Sequence, residues 1–245
     1  MIKDFEMKED FSLSIVNNNA VIKDKIEEPL AAMYKNNVKV GNTWEMIDVD
    51  LRLSPFQPYL HVFRDMPMDY LKKEHKWYMS QDRSIKGWMD DIKIWKFCAS
   101  KDDKQEINSN YGWCVFSEEN GSQYENCLQK LIADKNTREA MIIYTRPSIH
   151  KDAVENGKHD FICTNYSHFF IRDNRLEMIH SQRSLDAITG LPFDFAWSCF
   201  VYQMMYEELK NTYPDLQAGL MHYHIDSAHV YERSENLLKK YIEEK

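Results

Sequence analysis

The chain has 245 residues, with 43% hydrophobic residues and only seven glycines and seven prolines, a composition typical of an ordered globular protein. Its formal net charge of -8 argues against a general binding surface for nucleic acid, because phosphate contacts need clustered lysines and arginines. The five cysteines have no paired spacing, so they indicate neither a disulfide framework nor a zinc ribbon.

Two kinds of periodicity define the predicted elements of the first part of the chain. Apolar residues at helical spacing predict helices at Glu27–Met33, Met68–Met79 and Gln123–Ala133. Short apolar runs predict strands at Trp44–Leu53, Met141–Tyr144, Phe161–Ile171 and Leu176–Ser181. The dipeptide Asp173-Asn174 predicts a hairpin turn between the last two strands. The polar stretches Ser100–Glu106 and His150–His159 are predicted to be surface loops.

The last part of the chain contains the most apolar segment. Phe193–Leu209, which follows Pro192, predicts a buried helix, and Tyr213-Pro214 is expected to end it. A strand at Gln217–Ile225 and a polar C-terminal helix are predicted next. Because helices and strands are mixed without regular alternation, we expect an α+β fold.

The sequence shows neither a domain boundary nor a targeting or membrane-spanning segment. No internal repeat is evident, and we expect one domain over residues 1–245. The first residues lack a basic stretch followed by an apolar one, and no apolar run approaches about 18 residues. These features predict a cytoplasmic protein without a membrane partner.

Three segments carry residue types that could do chemistry. Cys163 in FICTNYSHFFI could be a nucleophile, although a cysteine in an apolar strand more often packs as a small hydrophobic residue. In HYHIDSAH, His222 and His224 alternate onto one strand face, with Asp226 and His229 close behind. This pattern is compatible with a metal site, but imidazoles satisfied by hydrogen bonds are the more common outcome.

The third segment, QRSLDAITGLPFDFAW, places one arginine and several small polar residues before a Gly-Leu-Pro turn and a helix. Such an arrangement can hold a phosphate. The alternative interpretation is a loop in which Asp194 caps the helix and contributes about 1 kcal/mol of stability without any ligand. Position alone favours the cap.

A set of motifs in one order resembles the thymidylate synthase superfamily. EHKWYMSQDRSI resembles the helix of the essential glutamate, INSNYGW the tyrosine-glycine turn, and NTREAMIIYTRP the phosphate-arginine strand. FICTN is similar to the nucleophile segment, QRSLDAITGLPFDFAW to the segment that follows it, and HVY to the sugar-binding His-x-Tyr. The runs EINSNYGW, MIIYTRPS and CTN look most like the phage-type deoxycytidylate hydroxymethylases.

The resemblance implies a thymidylate synthase-like fold, in which a mixed β-sheet packs against helices and one sheet face lies at a homodimer interface. It implies transfer of a one-carbon unit from 5,10-methylenetetrahydrofolate to carbon 5 of dCMP, followed by hydration. Cys163 would add to carbon 6, with its thiolate favoured by Arg183. Asp194 stands where thymidylate synthases use Asn to bind uracil, so it would select cytosine. Glu74 would handle protons, and Tyr111 would help to remove the carbon 5 proton.

The remaining site residues also follow from the resemblance. Arg183 and Ser184 would bind the nucleotide phosphate, together with Arg138 reaching from the neighbouring subunit, so that active sites are shared in the dimer. The last motif assigns His229 and Tyr231 to the deoxyribose 3′-hydroxyl. The folate would stack on Trp95 and hydrogen-bond to Asp186, and no metal is implied. If the chain is encoded by a virus, the setting is the host cytoplasm.

Some positions depart from the thymidylate synthase pattern. Thr164 replaces the His after the nucleophile, His168 stands where Gln is usual, and Glu139 replaces a second phosphate arginine. The N-terminal phosphate arginine has no clear match among Lys35, Lys39 and their neighbours. Four alternatives stay open, namely a dCMP methyltransferase, a dUMP hydroxymethylase, a metal-dependent hydrolase using His222, His224 and His229, and a nucleotide- or RNA-binding regulator.

Overall fold

The structure is a computed structural model that describes residues 30–36, 39–60 and 64–244. Its elements, in chain order, are β1 (Lys39–Val40), β2 (Thr43–Leu53), α1 (Met68–Ser80), α2 (Lys93–Cys98), α3 (Tyr111–Phe116), α4 (Gln123–Ala133), β3 (Met141–Ile143), α5 (Ile149–Asn156), β4 (Thr164–Arg172), β5 (Arg175–Gln182), β6 (Leu185–Asp186), α6 (Leu191–Leu209), β7 (Gln217–Tyr231) and α7 (Glu235–Glu243). Residues 30–35 are also helical, whereas the rest of the helix predicted at Glu27–Met33 lies outside the described residues.

The strands form one mixed sheet in the order β1-β2-β7-β5-β4-β3. Strand β6 pairs with the C-terminal part of β7, at Ala228 and His229. The β5–β7 and β6–β7 pairs are parallel, while the other neighbours are antiparallel. The predicted α+β class with a mixed sheet is therefore confirmed.

The hairpin of β4 and β5 has the turn that its sequence predicts. Asp173 and Asn174 have φ angles of 48° and 59°, the left-handed conformation that a two-residue turn requires at both positions. The ladder runs from Arg172 opposite Arg175 to Thr164 opposite Gln182. The hairpin therefore ends beside Cys163 and Arg183, which extend the two strands.

Helix α6 covers one face of the sheet. Phe195, Trp197 and Tyr202 are fully buried, and the Tyr202 hydroxyl donates a hydrogen bond to the Leu176 carbonyl on β5. Phe195 packs edge-on against Tyr223 of β7 at 5.8 Å between ring centroids. No helix in the described ranges is long and apolar enough to cross a membrane.

Several boundaries differ from the predictions. Most of the loop predicted at His150–His159 is helix α5, whose only buried residue is Ile149, so its sequence shows little apolar periodicity. Strand β4 begins at Thr164 instead of Phe161, and β7 continues to Tyr231 instead of ending at Ile225. The short helices α2 and α3 were not predicted.

Candidate active site

Cys163 lies at the open end of the β4–β5 hairpin, with Arg183 directly opposite. The Arg183 backbone N–H donates to the Cys163 carbonyl at 2.9 Å, which continues the ladder beyond the strands. The guanidinium donates through Nη2 to Cys163 Sγ at 3.7 Å and through Nε to the Ile162 carbonyl at 3.0 Å. The Phe161 ring packs against the same guanidinium at 4.8 Å. Two predicted site residues, Cys163 and Arg183, are therefore in direct contact.

The Cys163 thiol is half-buried, and burial raises its pKa to about 11. The positive charge of Arg183 lowers the pKa, as the sequence interpretation expected, but the negative charges of Asp194 and Asp160 raise it further. Arg183 therefore favours the thiolate in the predicted direction, but desolvation outweighs the guanidinium and the thiol keeps its proton near neutral pH.

Asp194 belongs to the first turn of α6 and is not its cap. Gly190 occupies the N-cap position, and helix α6 begins at Leu191 with Pro192 in its first turn. The cap interpretation is therefore wrong, because the Gly-Leu-Pro turn starts the helix earlier than Asp194. The carboxyl instead accepts a hydrogen bond from Gln182 Nε2 at 2.8 Å, and burial raises its pKa to about 6.

A buried polar chain connects Asp194 to Tyr111. Gln182 donates both to Asp194 and to Thr164 Oγ1, the latter at 3.3 Å, and the Thr164 hydroxyl donates to the Tyr111 hydroxyl at 3.1 Å. Gln182 and Thr164 are fully buried, and Tyr111 stacks on Tyr78 at 5.3 Å. The sequence predicted Asp194 and Tyr111 as site residues but missed Gln182, although it is the first letter of the QRS motif.

Glu74 is 4% exposed on α1, so its carboxyl is buried and is not a solvated surface group. Burial raises the pKa of its carboxyl to about 8, and the charge of Asp194 acts in the same direction. The Tyr70 hydroxyl opposes this effect by donating to Glu74 Oε1 at 2.9 Å, and Trp95 Nε1 donates to Tyr70 at 3.0 Å. Two predicted residues, Glu74 and Trp95, are therefore joined through Tyr70, which the sequence interpretation did not identify.

The loops before Tyr111 and Cys163 are held together by Asp160. Its buried carboxyl accepts hydrogen bonds from the backbone N–H groups of Asn108 and Ser109, both at 2.6 Å, and from the Ser109 hydroxyl. In return, the Asn108 side chain donates to the Asp160 carbonyl at 2.9 Å. This carboxyl therefore joins the two loops that lead to the predicted catalytic residues Tyr111 and Cys163.

The α3 helix that carries Tyr111 lies directly on the end of α1. A side-chain carbon at Gly112 would lie 1.7 Å from the Tyr78 carbonyl oxygen, so this contact permits only glycine. Asn110 caps α3 by accepting from the Trp113 N–H at 2.8 Å, and it donates to the Trp77 carbonyl at 3.1 Å.

The residues predicted to bind the sugar and the folate follow the hairpin. His229 and Tyr231 lie at the end of β7, half-buried, with their rings edge-on at 5.2 Å. The Asp186 carboxylate accepts from the backbone N–H groups of Ile188 and Thr189, both at 3.0 Å, and from Arg233 at 3.1 Å. Ser184 follows Arg183 and is half-buried.

Arg138 lies apart from these groups, as an exposed residue before the edge strand β3. The neighbouring Glu139 pairs with Lys130 at 2.6 Å, and the Arg138 side chain faces solvent. Lys39, one of the lysines considered for the N-terminal phosphate ligand, pairs with Glu232.

Two of the three histidines of the metal alternative have different acidic partners. His222 lies 3.1 Å from Glu177 of β5, whereas His224 lies 2.9 Å from Asp50 of β2. Within the described ranges, the group whose ligand atoms converge is Asp48, Asp50 and His224, on the exposed side of the sheet. The expected set of His222, His224 and His229 is not brought together.

Comparison with known proteins places the chain in a family. A family model described as Thymidylate synthase matches residues 32–245. The chain therefore belongs to the thymidylate synthase family. It is 37% and 35% identical to the Deoxycytidylate 5-hydroxymethyltransferases of Enterobacteria phage T6 and Enterobacteria phage T4, over 175 residues that make up 70% of this chain and 70% of each relative.

More distant relatives are named thymidylate synthases. A Thymidylate synthase of Francisella tularensis subsp. holarctica (strain LVS) is 23% identical over 175 residues, which cover 67% of this chain and 63% of that protein. The resemblance to phage hydroxymethylases within the thymidylate synthase family, inferred from the motifs, is confirmed.

Proposed function

We propose that the chain transfers a one-carbon unit from 5,10-methylenetetrahydrofolate to carbon 5 of dCMP and hydrates it, giving 5-hydroxymethyl-dCMP and tetrahydrofolate. The observation that carries the proposal is the placement of a carboxyl, Asp194, in the buried hydrogen-bond chain that runs through Thr164, the residue after Cys163, to Tyr111. The names of the phage relatives support the same activity.

Cys163 supplies the nucleophile. Its sulfur adds to carbon 6 of the pyrimidine, which makes carbon 5 electron-rich enough to attack the folate methylene group. After water has added to the transferred carbon, the sulfur leaves carbon 6 and the ring double bond returns. Because burial holds the thiol protonated, addition requires a base or the approach of further positive charge. Arg183 is the cation in contact with the sulfur.

Asp194 selects the base. Cytosine presents an amino donor beside an unprotonated ring nitrogen, so a carboxyl that shares one proton with that nitrogen satisfies both positions. The raised pKa of about 6 keeps such a proton accessible near neutral pH. Protonation of the ring nitrogen also makes carbon 6 more open to attack. Uracil would instead place a carbonyl against the carboxylate, leaving buried polar groups unsatisfied.

Glu74 and Tyr111 handle protons around carbon 5. Glu74, with a pKa of about 8, is mainly protonated at neutral pH and can donate to the departing folate and then accept a proton from the attacking water. The buried Tyr111 hydroxyl, held by Thr164, is placed to help remove the carbon 5 proton through water.

The folate and the phosphate would occupy the ends of the site. The Trp95 indole offers a flat surface for a pterin. The Asp186 carboxylate would accept pterin N–H groups in exchange for one of its present donors, of which Arg233 is the exposed one. These residue types fit the co-substrate, which supplies the one-carbon unit. Arg183 and Ser184 would hold the phosphate, and His229 with Tyr231 the 3′-hydroxyl.

A homodimer with shared sites completes the proposal. The sheet face opposite α6 carries a hollow of about 500 Å³, and its lining includes the half-buried aromatic residues Tyr166 and Phe170. Arg172 and Glu177 line the same hollow, so charged groups of both signs lie beside these aromatic residues and would meet their counterparts in a second copy of the chain. Arg138 would then reach the phosphate of the neighbouring site. Mixing inactive Arg138→Ala with inactive Cys163→Ala subunits should restore some activity; no recovery after proven subunit exchange would contradict shared sites.

A product assay tests the function itself. The protein is incubated with dCMP, dUMP or CMP and methylenetetrahydrofolate, and the nucleotide and folate products are identified by mass. Hydroxymethyl-dCMP with matched tetrahydrofolate is the expected result. Methylated product with dihydrofolate would identify a methyltransferase. A preference for dUMP would contradict the role of Asp194. The assay is repeated with a metal chelator, and loss of activity there would favour the metal-dependent hydrolase.

A further inference from the structure

Tyr70 connects two residues of the proposed site but has been given no role so far. It receives a hydrogen bond from Trp95 Nε1 at 3.0 Å and donates one to Glu74 Oε1 at 2.9 Å. Tyr70 lies one turn before Glu74 on α1, so both side chains leave the same helix face. Trp95 comes from α2. The line of hydrogen bonds therefore runs from the proposed folate contact to the proposed proton-handling carboxyl.

The Tyr70 ring is restrained by a second contact. It packs edge-on against Phe193 of α6 at 4.7 Å between centroids, and Phe193 directly precedes Asp194. The charged groups that face the hydroxyl are Glu74 on its own helix and Asp194 on α6. Burial, then the charge of Glu74, raise the pKa of Tyr70 well above its usual range, so the hydroxyl keeps its proton and remains a donor.

We propose that Tyr70 is a positioning residue for Glu74, whose hydroxyl holds the carboxyl in place and links it to the Trp95 indole. A glutamate has three rotatable side-chain bonds, and Tyr70 is the side-chain donor that contacts this carboxyl in the described structure. Loss of the hydroxyl would free the carboxyl to turn away from the reacting carbon. The consequence for turnover rests on the proposed function, whereas the effect on the Glu74 carboxyl does not.

The substitution Tyr70→Phe removes only the hydroxyl. Tyr124→Phe is the matched control, because Tyr124 donates to Glu208 at 3.0 Å between α4 and α6, away from the site. Tyr70→Phe should lower kcat for hydroxymethyl-dCMP by roughly 10- to 100-fold with little change in the KM for dCMP. Since the Tyr70 hydrogen bond lowers the pKa of Glu74, its loss should move the corresponding limb of the pH profile to higher pH. The control should show neither effect.

A measurement without turnover separates this proposal from the proposed function. The infrared band of the Glu74 carboxyl, assigned by difference from Glu74→Gln, is titrated in the wild-type protein, in Tyr70→Phe and in Tyr124→Phe. A midpoint that moves to higher pH only in Tyr70→Phe supports the positioning role. Equal midpoints in all three proteins overturn it. If the wild-type protein fails to convert dCMP, the proposed function fails, and the infrared midpoint still decides the role of Tyr70.

Discussion

Replacing Glu74 by Gln should stabilise the protein, and the gain should grow with pH. The carboxyl has a pKa of about 8 in the folded state and an ordinary value of 4.5 when unfolded. The folded state therefore binds more protons between these values, so wild-type stability is fully retained below pH 4.5 and falls as pH rises toward 8. Gln cannot ionise and loses none of this stability.

The size of the effect follows from the same two values. Their difference, from 4.5 to about 8, multiplied by about 1.4 kcal/mol per pH unit, gives about 5 kcal/mol. This is an upper limit, because water that enters the site on ionisation screens the charge, and because Gln accepts a weaker hydrogen bond from Tyr70 than a carboxylate does.

Urea unfolding at several values from about pH 5 to about pH 9 measures the difference. The control is Glu139→Gln, which removes an exposed carboxyl whose pKa is lowered by Lys130. In that variant the contribution has the opposite sign, since ionisation of Glu139 favours the folded state. A stability gain in Glu74→Gln that is flat with pH, or a wild-type protein that becomes more stable toward pH 9, would refute the argument.

Four further predictions concern the chemistry and the packing. Cys163→Ala should abolish product formation and exchange of the carbon 5 hydrogen, measured by tritium release; full exchange would exclude it as nucleophile. Asp194→Asn should lose most activity on dCMP and gain activity on dUMP, because the wild-type site is expected to prefer dCMP over dUMP by roughly 10⁴-fold. The stability of this variant above pH 6 should not fall below that of the wild-type protein, because burial raises the pKa of the Asp194 carboxyl to about 6. Asp160→Ala should cost about 2–6 kcal/mol in urea unfolding, as two buried N–H groups lose their acceptor; a cost under about 1 kcal/mol would contradict this. Gly112→Ala should cost about 3 kcal/mol in thermal unfolding, at the upper end of the usual range, because the new methyl meets the Tyr78 carbonyl and the backbone must move; an unchanged Tm would contradict this.

Elements whose formation depends on neighbouring residues in the sequence, such as amphipathic helices and tight turns, were predictable. Helix Gln123–Ala133 was predicted with the bounds that the structure shows, since its buried residues Tyr124, Cys127, Leu128 and Leu131 recur on one face. The turn at Asp173-Asn174 was predicted because these residue types tolerate the left-handed backbone. Helix α5 was missed because it buries almost nothing, and Val154 is 89% exposed.

Site residues that belong to a sequence motif were predictable. Contacts that depend on which strands lie side by side were not. Cys163 and Arg183 were expected together and lie together. The histidines of HYHIDSAH appeared to form one group because they alternate along a strand. In a sheet, however, a side chain meets the neighbouring strands, so His222 contacts β5 and His224 contacts β2. No local pattern identifies those neighbours.

The position of Cys163 and Arg183 at the end of one hairpin bears on how the site forms during folding. The two strands are joined by a two-residue turn, and such hairpins pair within about 10 μs. Glu74 and Asp194 reach the site only after segments far apart in sequence have packed, which is slower because longer loops must close. A newly made chain therefore brings its sulfur and guanidinium together before the carboxyls and helices enclose them. Until the sheet is complete, this thiol is expected to be more open to oxidants and alkylating agents than in the half-buried folded state, so slower packing should lower the yield of active protein.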